Sequence, residues 1–331
     1  MFEFACKRLS YALLLAATLV VPSAFAQNAW QPTSTVKIIV PAGPGASLDT
    51  TARIVKAELE AEKALTQPVV VYNKAGGGGA LMLHEFNEHV GDGNLLGIQS
   101  FTILTSKITG MTKRTYSDYT PLVVLFDEYV AIAVRADSPV KNARDLVAHL
   151  RKDPGALSIG VATAIGNHIH IGAALPLKAA GVNVKKLRVI AYKSSMQSLA
   201  AVLGGDLDAA AATVGNMVPL MQAGKIRIIA ISSPKRLGGA LAGVPTWREQ
   251  GIPADFVATQ GIIAPKNLTP EQVSFWVHAF STMSQSADYR KRLEKMYRVP
   301  DFKSGADARR SLDEQYTKAK EILTELGLAK D

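Results

Sequence analysis

The sequence is nearly without cysteine. Its 331 residues hold one, Cys6. That residue falls in a leader-like segment, so a chain cleaved after the leader has no thiol. Disulfides, thiolate nucleophiles and cysteine metal sites are then excluded. Cys6 also precedes the apolar part of the leader instead of ending it, which argues against lipidation. Histidine is scarce, with six residues, and no G-x-S-x-G elbow occurs. No nucleophile, base and orienter can be assembled from linked motifs. Beyond the leader no apolar run is long enough to span a bilayer. No short-period repeat is found, and no low-complexity linker would let domains wander.

The leader reads Lys7-Arg8, an apolar stretch Tyr11–Val21, Pro22, then Ala24-Phe25-Ala26 before Gln27. A basic start, an apolar stretch too short to span and a small-x-small end make a secretory signal peptide. The expectation is a periplasmic protein cleaved near Ala26–Gln27. An uncleaved anchor is the alternative, but no stop-transfer pattern follows. Export argues against nucleotide-dependent chemistry. The formal charge of +9 falls to +8 when Glu3, Lys7 and Arg8 leave. A basic chain suits anionic partners. Outside the cytoplasm nucleic acid is not among them. Arg290-Lys291-Arg292 and Arg309-Arg310 lie on helical patterns that also carry acidic residues, and read as solvated faces.

Strand and helix signals alternate. Val36–Val40, Val69–Tyr72 and Leu95–Gln99 read as strands, with helices over Asp49–Lys63 and Leu81–His89 between them. That order is the signature of a parallel sheet with crossover helices. An apolar stretch Val123–Val134 follows, then a helix Ser138–Asp153 with Pro139 at its start. A second set runs through strands Leu157–Val161, Leu187–Ile190, Ala209–Thr213 and Ile226–Ile231, with helices His168–Ala180, Met196–Gly204 and Val218–Ala223. A strand Gly261–Ala264 and three helical patterns from Thr269 to Leu326 end the chain. The expected fold is α/β, as two small domains with the chain crossing between them more than once.

Several motifs have two readings. Gly43-x-Gly45 tempts a dinucleotide reading, but Leu48 stands where the third glycine belongs. What survives is a glycine-rich strand-to-helix loop whose backbone N–H groups suit an anion such as a carboxylate. Asp49 is placed to cap the helix or to orient those donors; an ordinary turn is the alternative. Gly76–Gly79 also precede a helix. They lack the Gly-Lys-Ser/Thr end of a P-loop, so they suit a close backbone approach or a flexible turn. Two such loops at neighbouring strand ends favour an anion cradle. His84 and His89, at i, i+5, stand roughly 140° apart on a helix and do not make a zinc pair. His168 and His170 point to different sides; His170 is the better candidate for a ligand contact, or a half-buried capping histidine. Tyr192-Lys193-Ser194-Ser195 offers a cationic or hydroxyl contact, or a plain surface lysine.

Taken together, the motifs carry a resemblance. They are Val40-Pro41…Pro44-Gly45…Asp49…Ala52-Arg53, Val69–Asn73 with the glycine run, and Asp92-Gly93…Leu95-Leu96. Further on come Asp118–Leu122, Ser158…Gly160…Gly166…His170, and Tyr192-Lys193…Leu203-Gly204-Gly205…Asp208. Ala223–Arg227 and Val244-Pro245-Thr246…Glu249…Gly251 complete the order. Over essentially the whole mature chain this resembles the periplasmic solute-binding receptors of tripartite tricarboxylate transporters, the Bug receptors. The resemblance implies a two-domain periplasmic-binding-protein (Venus-flytrap) fold with two chain crossings. Domain 1 would be 27–127 plus 232–331, and domain 2 128–231. It implies a monomer without cofactor, metal or catalysis. Such a receptor binds a small carboxylate and delivers it to membrane transporter subunits. A sensor ectodomain as partner is an alternative, and an exported hydrolase a more distant one. Carried onto this chain, the ligand contacts of the first domain would be Ala46, Ser47, Asp49, Gly78, Gly79, Ser100 and Thr102. The second domain would supply Thr163, Gly166, Asn167, His170 and Thr213.

The chain also departs from the family pattern. Ala42 replaces an aromatic, Ala46 a glycine, and Ser194 a glycine after Tyr-Lys. Val161–Asn167 is longer and more apolar than the usual loop, and Ser106-Lys107-Ile108 stands where Asn-Pro is expected. These changes bear on the ligand more than on the fold.

Overall fold

The computed structural model describes residues 30–162 and 164–330. The expected signal peptide, with its expected cleavage near Ala26–Gln27, lies outside the described residues, as does Thr163. In chain order the first elements are β1 (Val36–Val40), α1 (Ser47–Ala61), β2 (Val69–Asn73), α2 (Ala80–Glu88), β3 (Leu95–Gln99), α3 (Phe101–Thr105) and β4 (Thr120–Glu128). Next come β5 (Val130–Arg135), α4 (Ala143–Lys152), β6 (Ser158–Ala162), α5 (His168–Ala179), β7 (Arg188–Tyr192), α6 (Ser195–Gly204), β8 (Ala209–Thr213), α7 (Val214–Gln222) and β9 (Ile226–Ile231). The chain ends with β10 (Ala258–Ala264), α8 (Pro270–Gln285), α9 (Ala287–Lys295), β11 (Val299–Ser304) and α10 (Gly305–Glu325).

Two mixed sheets result, with strand orders β11-β4-β10-β3-β1-β2 and β7-β6-β8-β5-β9. The chain leaves the first sheet after β4, builds the second from β5 to β9, and returns in β10. The two-domain α/β fold with two chain crossings is thus present. In the first sheet β1, β2 and β3 run parallel; in the second, β6, β7 and β8 do. The loops after β1, β2 and β3 therefore share one edge of their sheet. Those after β6, β7 and β8 share one edge of the other. Ligand loops of open α/β sheets sit at such carboxyl edges.

Local chemistry explains most elements. The strands β5, β6 and β8 are buried along nearly their whole length, as expected of apolar runs covered on both faces. The run Val123–Val134 is not one element: Tyr129 separates β4 from β5, and the two halves join different sheets. Helix α4 starts at Ala143 and not near Ser138, because Asn142 caps it by accepting from the Asp145 N–H. Helix α7 starts four residues earlier than the apolar pattern suggests. β11 is absent from the sequence reading. It contains Pro300 and pairs only with β4, across a register shift between Pro300 and Lys303. Proline belongs on such an edge strand, and an irregular edge has no clean alternation to read.

Ser232 ties the two crossings together. Its hydroxyl accepts from Val130 N–H at 3.0 Å and donates to the Phe256 carbonyl at 2.7 Å. Gly172 of α5 fits beneath: a Cβ there would stand 2.7 Å from Val130 Cβ and 2.8 Å from Phe256 Cδ1. Only a glycine lets α5 pack this close to both crossings.

Candidate functional site

The loop after β1 is set by Asp49. Its buried carboxylate accepts from Gly45 N–H at 2.9 Å, Asn73 Nδ2 at 2.9 Å, and Arg53 Nε and Nη2 at 2.9 and 3.1 Å. The Arg53 guanidinium, with Gly45 and Asn73, holds its pKa down at about 2 against the opposing effect of burial. Asp49 thus orients the loop, and its oxygens already have partners on the protein. Gly45, at φ +77°, makes the turn. The glycines 76–79 all have positive φ, a run that L side chains do not sustain, which accounts for four glycines in a row. Gly78 stands against Thr102 and Met111, and Gly79 against Pro41 and Ile103. The three loops of the first sheet therefore meet. Ser100, buried, precedes α3, and its carbonyl accepts from Gln99 Nε2 at 3.1 Å.

In the second sheet Asn167 caps α5, accepting from Ile169 and His170 N–H, each at 3.1 Å, while its Nδ2 donates to the Ala162 carbonyl at 2.6 Å. His170 Nδ1 accepts from Gly166 N–H at 3.0 Å. Burial pushes its pKa down to about 4, so the ring is neutral. Gly166 packs against Leu323 and Leu328 beyond β11 and against Thr109. Gly166, Asn167 and His170 are thus brought together, and the loop rests on the first domain.

Ser47 and Thr213 face one cavity of about 300 Å³. Its walls include Gly45, Ser47 and Thr50 from the first sheet's loop, and Thr213 to Asn216 from the second. Glu128, Tyr129 and the turn Lys295–Arg298 close it. The N-terminus of α1 opens here with Ala46 at its cap, which has no side chain able to bond. The N-terminus of α7 faces it from the other domain, and the side chain of its cap Thr213 accepts from Asn216 Nδ2 at 3.0 Å and makes no cap bond. Helix N-termini carry free N–H groups and positive potential. Glu128 in the wall is paired with Arg298, and with Lys295 and the two helix ends the cavity suits an anion. Of the expected contacts, Ser47 and Thr213 line it. Ala46 adjoins it. Gly78, Gly79, Ser100, Thr102, Gly166, Asn167 and His170 line other parts of the loop edges.

Sequence reasoning missed Arg298, Glu128, Gln260 and Thr51, which form a buried polar knot under α1. Arg298 Nε donates to Glu128 Oε1 at 3.0 Å, and Nη2 to Ser47 Oγ at 2.6 Å. Gln260 Nε2 donates to Glu128 Oε2 at 2.7 Å, and Thr51 Oγ1 to Gln260 Oε1 at 2.7 Å. Residues so far apart in sequence leave no periodic signal. Gly215 was missed too. Its Cβ would lie 2.7 Å from the Met296 carbonyl oxygen, so glycine permits the domains to touch there. His84 and His89 are exposed, and Lys193 is a surface lysine beside the cap Ser194.

Comparison with known proteins agrees with this architecture. A family model described as "Tripartite tricarboxylate transporter family receptor" matches residues 52–328. A protein named "UPF0065 protein in gbd 5'region" from Cupriavidus necator is 28% identical over 302 residues, covering 90% of this chain and 89% of its own. Among solved structures, a Rhodopseudomonas palustris protein with adipate superposes with a TM-score of 0.75 at 24% identity, over 90% of this chain and 99% of its own. MatC from the same organism, with bound malate, gives a TM-score of 0.71 at 23% identity, over 88% and 99%. The two-domain fold, the loops at both carboxyl edges and the match over most of its length place the chain in the tripartite tricarboxylate transporter receptor family, TctC.

Proposed function

We propose that the protein is a periplasmic solute receptor that holds a small organic acid between its two lobes and hands it to a tripartite tricarboxylate-type membrane transporter. The expected division at 127/128 and 231/232 falls within one residue of the break at Tyr129 and beside Ser232, where the pivot is placed. The observation that carries this reading is the cavity onto which a helix N-terminus opens from each lobe, beside Lys295. An ionised carboxylate there meets N–H donors from both sides. Closure is favoured only by contacts that exist in the closed form. The Ser47 hydroxyl is engaged by Arg298, Gln260 and Glu128, which argues against its acting as a nucleophile. The similar structures that hold malate and adipate support an organic acid as the solute.

Calorimetric titration of residues 27–331 with malate, adipate, other mono-, di- and tricarboxylates and their neutral amides tests this. Binding of one acid class with no binding of its amide is expected. Equal binding of acid and amide, or no binding of any acid, would overturn it. Gly215→Ala sharpens the test: with Met296 O in the way, the domains cannot close fully. Small-angle scattering should then show an acid-bound form that stays extended, and affinity should drop.

A further inference from the structure

Ala46 cannot cap α1, so something else must fix the start of that helix. Asp49 holds Gly45 locally, and Arg298 reaches the first turn from the other end of the chain. Its side chain is 3% exposed and lies 4.5 Å over the ring of Phe126. The guanidinium bonds Glu128 through Nε, Thr51 Oγ1 through Nη1 at 3.2 Å, and both the hydroxyl and the carbonyl of Ser47 through Nη2. Ser47 Oγ in turn accepts from Gln260 Nε2 at 3.2 Å and donates to Glu128 Oε1 at 3.2 Å. Both lone pairs and the one hydrogen of that hydroxyl are therefore used. The knot bolts the first turn of α1 to the last residue of β4, to β10 and to the turn before β11. A buried ion pair is a weak source of stability compared with apolar packing. What this one does supply is a fixed geometry for the binding loop.

We propose that Arg298 is a positioning residue. Through Ser47 and Thr51, and braced by Glu128, it holds the loop Ala42–Ala46 and the α1 N-terminus in their binding arrangement before a solute arrives. This rests on the reading of the cavity as the solute site. Lys295, beside it in the wall, remains for the anion itself.

Hydrogen exchange of the ligand-free chain tests the positioning directly. The variants are Arg298→Lys, the charge-balanced pair Glu128→Gln with Arg298→Met, and Ser47→Ala. Lysine keeps the charge opposite Glu128 but lacks the fork that reaches Ser47 and Thr51. The expected result is about tenfold faster exchange of residues 43–51 in Arg298→Lys and in the pair, and a smaller rise in Ser47→Ala. Exchange of residues 164–170 stays as in the wild type. Arg298→Lys should melt close to the wild type while its loop remains fast, a split that a purely structural role would not give. Unchanged exchange at 43–51 in Arg298→Lys and Ser47→Ala overturns the proposal, and Ser47→Ala alone decides if the double variant does not fold. Titration with malate and adipate runs alongside. Failure of the wild type to bind any acid counts against the receptor reading, while the exchange data still decide the role of Arg298.

Discussion

The N-termini of α1 and α5 are built on opposite plans. At α5 the hydrogen bonds are local: Asn167 caps the helix and ties back to Ala162, and His170 takes the Gly166 N–H. At α1 the cap is an alanine, and the first turn is held by residues 81 to 251 positions away. A local cap is written in neighbouring residues and forms as the helix forms. A knot of Glu128, Gln260 and Arg298 exists only once both strand β4 and the returning chain are in place. The first turn of α1 thus depends on tertiary contacts, whereas the cap of α5 does not.

Breaking the long-range plan should cost most. Arg298→Met alone leaves the Glu128 carboxylate buried without its cation. It should lower unfolding stability by about 3–5 kcal/mol in urea titrations. Adding Glu128→Gln should restore much of that loss, and equal losses in the single and double variants would show that the two charges are not coupled. Next comes the pH response of the local plan. The folded pKa of His170 is about 4 against an ordinary 6.5, because burial disfavours the charged ring. Between those values the unfolded chain binds more protons, so stability is present above pH 6.5 and is lost as pH falls towards 4. About 3 kcal/mol is expected from this group. The wild type should therefore lose stability relative to His170→Gln on acidification; parallel pH curves would remove His170 from the account.

Asn167→Ala should cost about 1 kcal/mol, the usual worth of a cap, read as a lower urea midpoint at unchanged slope. Smallest under ordinary conditions is the pH dependence at Asp49. Its pKa is depressed to about 2, first by the Arg53 guanidinium. The stability it adds is complete above pH 4 and disappears as pH falls towards 2. Asp49→Asn should accordingly differ from the wild type at neutral pH and approach it below pH 3. A constant difference over that range would place its role elsewhere than in the charge.

Much of the first lobe's frame was legible because its signals are periodic or stereochemical. Val36–Val40, Val69–Tyr72 and Leu95–Gln99 read as strands from their β-branched and apolar runs. Gly45 and Gly76–Gly79 marked turns that need positive φ. Asp49 was recognised as a cap or an orienter of donors, and the structure shows the orienter. Ser47 and Thr213 were both named as contacts and do meet across one cavity. The break at Tyr129 was not legible, because two buried apolar strands in series look like one. β11 was hidden by Pro300 and its irregular pairing, and Gly215 by a contact that exists only when two domains approach.

Sequence by itself determined the alternation of strands and helices, the glycine turns and the family pattern. Each depends on backbone stereochemistry or on hydrogen bonds spanning a few residues, and so is present in any short window of the chain. Tertiary structure alone decided which loops share a cavity. It also decided that Asp49 and the Ser47 hydroxyl are engaged by the protein, and that Arg298 reaches the first turn of α1. Those outcomes require burial, which makes an unpaired charge or hydroxyl costly. Their partners come from distant parts of the chain, and the assembled first sheet brings them within reach.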